Sequence, residues 1–134
     1  SDTWGTELGK LSKSNPIDIV SRIKVSHGTS GGITLIGTIG SLFGSITIGF
    51  IGYLTILDKT ATFYVIIAGF LSSLIDSILG STNQARFLSP DGSKITEKYK
   101  EKYFLYTGSK IINNNTVNLY CTISGPLIFL IFNY

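Results

Sequence analysis

Charged residues are scarce in this chain, and methionine is absent. Only 14% of the residues are charged, whereas a soluble domain usually carries about 25%. The single cysteine, Cys121, excludes a disulfide within the chain, and we interpret its thiol as a small packing residue. No short apolar stretch near Ser1 resembles a signal peptide. Because Met is lacking, we expect a processed chain or a fragment, with further helices upstream.

The few charges leave three long apolar runs. Ile33–Leu57 and Val117–Tyr134 contain no charged side chain, and Ala61–Gly80 contains one acid, Asp76. A bilayer core needs about 20 mostly apolar residues to be crossed by a helix, and each run is about that long. Buried helices of a soluble bundle would carry Lys and Glu stripes, which these runs lack. The sequence therefore predicts an all-α, multi-pass integral membrane protein with spans at about 33–57, 61–80 and 117–134.

The distribution of basic residues predicts the topology. Every Lys and Arg except Lys59 lies within residues 1–32 or 81–116, and two crossings return the chain to its starting side. The positive-inside rule makes that side cytoplasmic, or the equivalent compartment of an organelle. We therefore predict one membrane domain over 1–134, with a polar cytoplasmic-side segment at 1–32 and a basic cytoplasmic-side loop at 81–116.

Shorter elements are predicted within these two segments. Thr3–Ser12 and Ile95–Tyr106 have the composition of short surface helices, and Ile17–Val25 suits the membrane interface. The second of these helices alternates Lys with Tyr, a pattern also found in nucleic-acid-binding surfaces. Beside a membrane, contact with anionic headgroups explains it better, so we expect the lipid bilayer as a partner and no nucleic acid.

Asp76 is the most informative residue. An acid inside an apolar span costs about 2.5–3.5 kcal/mol at mid-helix, so it normally faces protein, water or a cation. Asp76 lies only about 6 Å from the end of its run at Gly80, on the basic side, and shares a helical face with Ser73. An interhelical hydrogen bond is the structural alternative; we favour a functional role.

Other polar groups are predicted on the same membrane face. Gly28–Gly32 combines glycines with two hydroxyls just before a helix start, which suits either a phosphate cradle or a flexible connector, and both readings remain open. Asn114 and Asn118 lie one helical turn apart, although an asparagine here also suits a helix cap. Asp2 and Glu7, together with Asp76, suit a magnesium ion. Such convergence is expected of a nucleotide site at a membrane surface.

Four motifs, in order along nearly the whole chain, resemble those of the transmembrane protein 19 family, which includes the phytyl-phosphate kinases of plants and cyanobacteria. The motifs are Asp2-Thr3-x-x-Thr6-Glu7-Leu8-Gly9, Gly28-Thr29-Ser30-Gly31-Gly32-Ile33-Thr34-Leu35-x-Gly37-Thr38, Gly69-x-x-x-Ser73-x-x-Asp76-Ser77-x-x-Gly80 and Asn114-Asn115-x-Val117-Asn118.

The resemblance implies that this chain is the C-terminal part of a membrane-embedded kinase. The activity implied is phosphoryl transfer from a nucleoside triphosphate, CTP in characterised members, to an isoprenoid monophosphate such as phytyl phosphate. In a eukaryote, an endoplasmic reticulum or plastid-type membrane is expected. The implied catalytic residues and Mg²⁺ ligands are Asp2, Glu7 and Asp76. The implied phosphate- and nucleotide-binding residues are Lys24, Gly28, Thr29, Ser30, Gly31, Gly32, Ser73, Asn114, Asn115 and Asn118.

Two other functions remain as alternatives. A transporter or channel explains the acid within a span and the small-residue helices equally well. However, the side opposite the polar motifs offers only Asp58, Lys59 and Thr60, which does not suit a pathway through the bilayer. A non-catalytic structural membrane protein is the second alternative.

Overall fold

The computed structural model describes residues 1–92 and 95–133, and its framework is helical. Lys94 and Tyr134, which belong to the predicted basic loop and the predicted third span, lie outside the described residues. In chain order the elements are α1 (Asp2–Gly9), β1 (Ile17–Asp18), β2 (Gly32–Ile33), α2 (Leu35–Thr55), α3 (Lys59–Thr82), β3 (Arg86–Leu88), β4 (Ile95–Thr96), β5 (Phe104–Thr107) and α4 (Asn114–Asn133).

Three of the helices are long and apolar enough to cross a membrane. α2, α3 and α4 contain 21, 24 and 20 residues, or about 31, 36 and 30 Å at about 1.5 Å per residue. The predicted helical membrane fold with three spans is therefore confirmed, and the short strands lie in the connections between the helices. The cytoplasmic orientation stays a prediction.

Side-chain caps set where the spans begin. Thr34, Asp58 and Asn113 each accept a hydrogen bond from the backbone N–H of the third residue after them, at 3.0, 2.7 and 3.1 Å. Such caps satisfy amides that have no partner within the helix. As a result α3 and α4 begin a few residues before the apolar runs that predicted them.

The small residues of α2 accommodate α1. A Cβ added to Gly40 would lie 2.9 Å from the carbonyl oxygen of Trp4, and one added to Gly44 would lie 2.9 Å from the Cα of Ser1. The Ser1 hydroxyl donates to the carbonyl of Gly69 in α3 at 2.5 Å. Close backbone approach through small residues is typical of membrane helix packing.

These contacts place Ser1 level with the middle of α2 and α3. The first helix thus packs within the bundle, and the assignment of residues 1–32 as a polar cytoplasmic-side segment stays a prediction. The helix also ends earlier than the predicted Thr3–Ser12, at Gly9.

The predicted surface helix over Ile95–Tyr106 is wrong. β4 and β5 occupy its two ends and pair antiparallel with the two edges of β3, giving the order β4-β3-β5. Phe87, at the centre of β3, is buried and meets the ring of Tyr99 edge-on at 5.4 Å. Pairing with β3 satisfies the backbone hydrogen-bonding groups of β4 and β5. A local composition pattern carries no information about such pairing.

The polar connections meet at one end of the bundle. α2 and α3 are joined by a short turn and run in opposite directions, so the start of α2 and the end of α3 share an end. α4 packs against α3 and begins where the sheet ends. β1 and β2, paired Ile17 to Ile33 and Asp18 to Gly32, close this end beside α2.

Candidate functional site

A polar cavity of about 320 Å³ lies between α1, the loop at residues 27–33, the start of α2, the end of α3 and the start of α4. Most of the residues that the sequence predicted as functional line it. These are Asp2, Glu7, Gly28, Thr29, Ser30, Gly31, Gly32, Ser73, Asp76, Asn114 and Asn118. Groups that are remote in the sequence therefore face one shared space.

Two predicted site residues do not line the cavity. Lys24 is exposed, and its backbone forms an isolated antiparallel β-bridge with Ile17 beside the first two strands. Asn115 is exposed on α4, one residue past Asn114, which does line the cavity. Neighbouring residues on a helix point about 100° apart, so only one of two consecutive asparagines faces a given space.

Asp76 and Asp2 form the acidic part of the cavity. Oδ1 of Asp76 is buried and has no hydrogen-bond partner among residues 1–92 and 95–133. Asp2 lines the same cavity, so the two carboxylates face one shared space. A buried acceptor without a donor is costly unless a ligand supplies one, so this pair is the cavity's strongest candidate for binding a cation.

Glu7 is less well placed than the sequence suggested. Its carboxylate is exposed and forms an ion pair with Lys10 Nζ at 2.6 Å. Within the described residues no three His, Cys, Asp or Glu side chains group closely enough to hold a metal ion. The acids therefore offer two carboxylates, Asp2 and Asp76, rather than a cluster of three.

The glycine loop is docked on the end of α3. Gly28 and Gly31 have positive φ values of 84° and 79°, which glycine adopts without strain. A Cβ on Gly31 would lie 2.6 Å from the backbone nitrogen of Ser81, and one on Gly80 would lie 3.0 Å from the nitrogen of Gly31. Two glycines are thus required for the loop to touch the helix.

Ser30, at the centre of this loop, is held from outside the membrane helices. Its N–H and hydroxyl donate to the two carboxylate oxygens of Glu97 at 2.7 and 3.0 Å. Its carbonyl accepts from Arg86 Nη2 at 2.7 Å. Its donors are therefore engaged, which makes the predicted role of Ser30 in direct phosphate binding less favourable than that of the glycines beside it.

Asp18 joins the same region to α3 and the sheet. It is 1% exposed, accepts from the Ser81 hydroxyl at 2.6 Å and pairs with Arg86 at 3.3 Å. Burial opposes its ionisation, but hydrogen bonds from Ser81, Ser21 and the amide of Val20 outweigh that effect and lower the pKa of Asp18 to about 2. The sequence reasoning missed this residue; the signal available was an acid within the apolar run Ile17–Val20.

Polar contacts fix α4 beside α3. The Ser72 hydroxyl donates to the carbonyl of Cys121 at 2.5 Å, and the Ser124 hydroxyl donates to Ser72 Oγ at 3.1 Å. Cys121 itself is buried, consistent with its predicted packing role. Cys121 and Ser124 lie three and six residues beyond Asn118 on the same helix, and Asn118 lines the cavity.

Residues 1–126 match the integral membrane protein family DUF92. The chain is 32% identical over 128 residues to an uncharacterized membrane protein of Methanocaldococcus jannaschii, an alignment that covers 96% of this chain and 44% of that protein. It is 33% identical over 134 residues to Protein PGR of Arabidopsis thaliana, covering 87% of this chain and 45% of the relative.

The chain thus spans less than half the length of these two relatives. No solved structure matches it. The family is the one that contains proteins of the transmembrane protein 19 type, so the resemblance carried by the four motifs is confirmed at the level of the family. The chain belongs to the DUF92 family of integral membrane proteins.

Proposed function

We propose that this chain forms part of a membrane-embedded kinase. The kinase transfers a phosphoryl group from a nucleoside triphosphate, CTP by the family resemblance, to an isoprenoid monophosphate of the phytyl type. One observation carries the proposal: two carboxylates, a glycine loop and two asparagines, remote in sequence, line a single cavity at one end of an apolar bundle. A lipid substrate has its phosphate at such a boundary and its tail among the helices.

The chemistry proposed needs positioning more than proton transfer. An oxygen of the acceptor phosphate attacks the γ-phosphorus, a new P–O bond forms, and the bond to the bridging oxygen breaks with its electron pair leaving on the nucleoside diphosphate. The attacking oxygen is already anionic, so no strong general base is required. The site's work is to align two phosphates that repel each other and to offset their charge.

Asp76 and Asp2 are assigned to the cation. The unpartnered Oδ1 of Asp76 and the nearby carboxylate of Asp2 suit Mg²⁺, which is commonly held by one or two carboxylates together with phosphate oxygens and water. When bound, Mg²⁺ would offset the charge of the transferring phosphates. Glu7, paired with Lys10, is left as an outer residue of the site.

The neutral donors of the cavity are assigned to the phosphates and the nucleotide. Gly28 and Gly31 free the loop's backbone for close approach to an anion, and the first turn of α2 lines the same cavity. Asn114 and Asn118, one turn apart on α4, supply amides that can both donate and accept. Lys24 and Asn115, which lie outside the cavity, receive no role.

A phosphorylation assay tests the proposal with a matched pair of variants. Purified protein is incubated with phytyl, farnesyl or geranylgeranyl monophosphate and with CTP or ATP. Asp76→Asn should reduce turnover by at least about 100-fold, since loss of a metal-orienting group alone costs about 10–100-fold. Asp58→Asn changes the same group at the opposite end of the same helix, where it caps Ala61, and Asn caps equally well.

Full activity of the Asp76 variant would remove the assignment. Absence of turnover by the wild-type protein with every acceptor and nucleotide would remove the proposed reaction. In that case, nucleotide-independent uptake of a solute into liposomes would favour the transporter alternative.

A further inference from the structure

The three-stranded sheet β4-β3-β5 is connected to the cavity by hydrogen bonds to one residue of the glycine loop, Ser30. Glu97, directly after β4, accepts from both the N–H and the hydroxyl of Ser30, and it also accepts from Gln84 Nε2 at 2.9 Å. Glu97 does not line the cavity, whereas Ser30 does. The Glu97 carboxylate therefore binds the loop without lining the cavity itself.

Hydrogen bonds, rather than an ion pair, hold the carboxylate of Glu97 in place. Among the described residues no Lys or Arg lies within ion-pair distance of its carboxylate. It is partly buried, so its charge is stabilised by neutral donors, two of them from Ser30. Hydrogen bonds to an ionised acceptor are about twice as strong as neutral ones, which makes this a firm attachment.

The other side of Ser30 is fixed by the same sheet. Arg86 of β3 donates to the Ser30 carbonyl, and its guanidinium also pairs with Asp18. The next residue, Gly31, is pressed against Ser81 at the end of α3. All three hydrogen-bonding groups of Ser30 thus point to the scaffold, and the conformation of the neighbouring glycines is set by that attachment.

We infer that Glu97 is a positioning residue for the loop that binds phosphate. By accepting from Ser30, it holds the loop in the conformation in which Gly28 and Gly31 can present their backbone to an anion. The inference rests on the proposed function for the identity of the ligand, but the attachment itself is a property of the free protein. It also gives the sheet a role at the site, because the sheet supplies both Glu97 and Arg86.

A competing role for Glu97 predicts the opposite change in anion binding. If Glu97 instead occupied the place of a substrate phosphate, it would compete for the Ser30 donors, and its removal would strengthen anion binding. A positioning role predicts that its removal weakens binding. The sign of the change separates the two.

Three variants provide the test: Glu97→Ala, Glu97→Gln and Glu101→Ala. Glu101 is an exposed acid in the same segment and serves as the control for a lost negative charge. Folding is checked by the rate at which a maleimide dye labels Cys121, because its thiol is buried in the folded protein. Amide hydrogen exchange is then followed at residues 26–33 in the free protein, and binding of inorganic pyrophosphate is measured in the presence of magnesium.

In Glu97→Ala we expect at least about tenfold faster exchange of the Ser30 amide and about tenfold weaker pyrophosphate binding, the scale of one charge-assisted hydrogen bond. Glu97→Gln keeps one acceptor and should fall between Glu97→Ala and wild type, while Glu101→Ala should match wild type. Unchanged exchange, or unchanged or tighter binding, in Glu97→Ala would overturn the inference. If wild type fails to bind pyrophosphate, the proposed function fails, and the exchange measurement alone decides on Glu97.

Discussion

Replacing Gly31 or Gly28 with alanine separates two reasons why glycine is needed in the loop: a positive φ value and a close contact with α3. Both residues have a positive φ, which costs an L-residue about 1–2 kcal/mol. Their surroundings differ. A Cβ on Gly28 meets nothing within 4 Å, whereas one on Gly31 would lie 2.6–2.7 Å from N, Cα and Cβ of Ser81.

The close approach should cost Gly31→Ala more than Gly28→Ala. Two of the three atoms it meets are backbone atoms of α3, so a simple change of rotamer cannot relieve the contact. Overpacking of this kind costs about 1–3 kcal/mol. We therefore expect Gly28→Ala to lower the free energy of unfolding by about 1–2 kcal/mol and Gly31→Ala by about 2–5 kcal/mol.

The chain contains a natural reporter for the measurement. Its single cysteine, Cys121, is buried between α3 and α4, so thermal unfolding can be followed by its reaction with a maleimide dye. A larger loss of stability in Gly31→Ala is the expected result. Equal losses in the two variants would mean that the loop does not rest on Ser81, and the docking of the loop would be refuted.

Two further predictions concern stability. The pKa of Asp18, lowered to about 2 in the folded protein, lies below an unfolded value of about 3.9, so its contribution of about 2–3 kcal/mol should be present above pH 4 and lost as pH falls through about 2. The stability difference between wild type and Asp18→Asn should shrink over that range, and a constant difference would contradict the account. Thr34→Ala removes the cap of α2 and should lower the free energy of unfolding by about 1 kcal/mol in chemical denaturation, whereas Thr34→Ser should keep most of that stability. Equal losses in the two variants would contradict the capping role of Thr34.

The membrane spans were predictable because charge exclusion from lipid is strong and local. An uncharged run such as Ile33–Leu57 has few other interpretations. The ends were less accurate, since caps at Asp58 and Asn113 extend helices beyond their apolar residues. The depth of α1 was not predicted, because it depends on the small residues of a different helix, such as Gly40 and Gly44.

Most of the predicted site residues line the cavity, whereas the residues that support them were not predicted. Asp76 is conspicuous in the sequence because an acid within an apolar run is rare. Glu97 and Arg86 lie among many surface charges, and only the pairing of β3 with β4 brings them to Ser30. The incorrect helix at 95–106 concealed that pairing, because a composition window carries no information about distant strands.

Magnesium-dependent binding of CTP tests most directly whether the remote motifs form one site. Binding is measured on the wild-type protein and on the Asp76→Asn and Asp58→Asn variants. We predict equal affinities for wild type and Asp58→Asn, and an affinity at least about tenfold lower for Asp76→Asn. Unaltered magnesium-dependent binding by Asp76→Asn, or loss of binding in Asp58→Asn alone, would contradict the account.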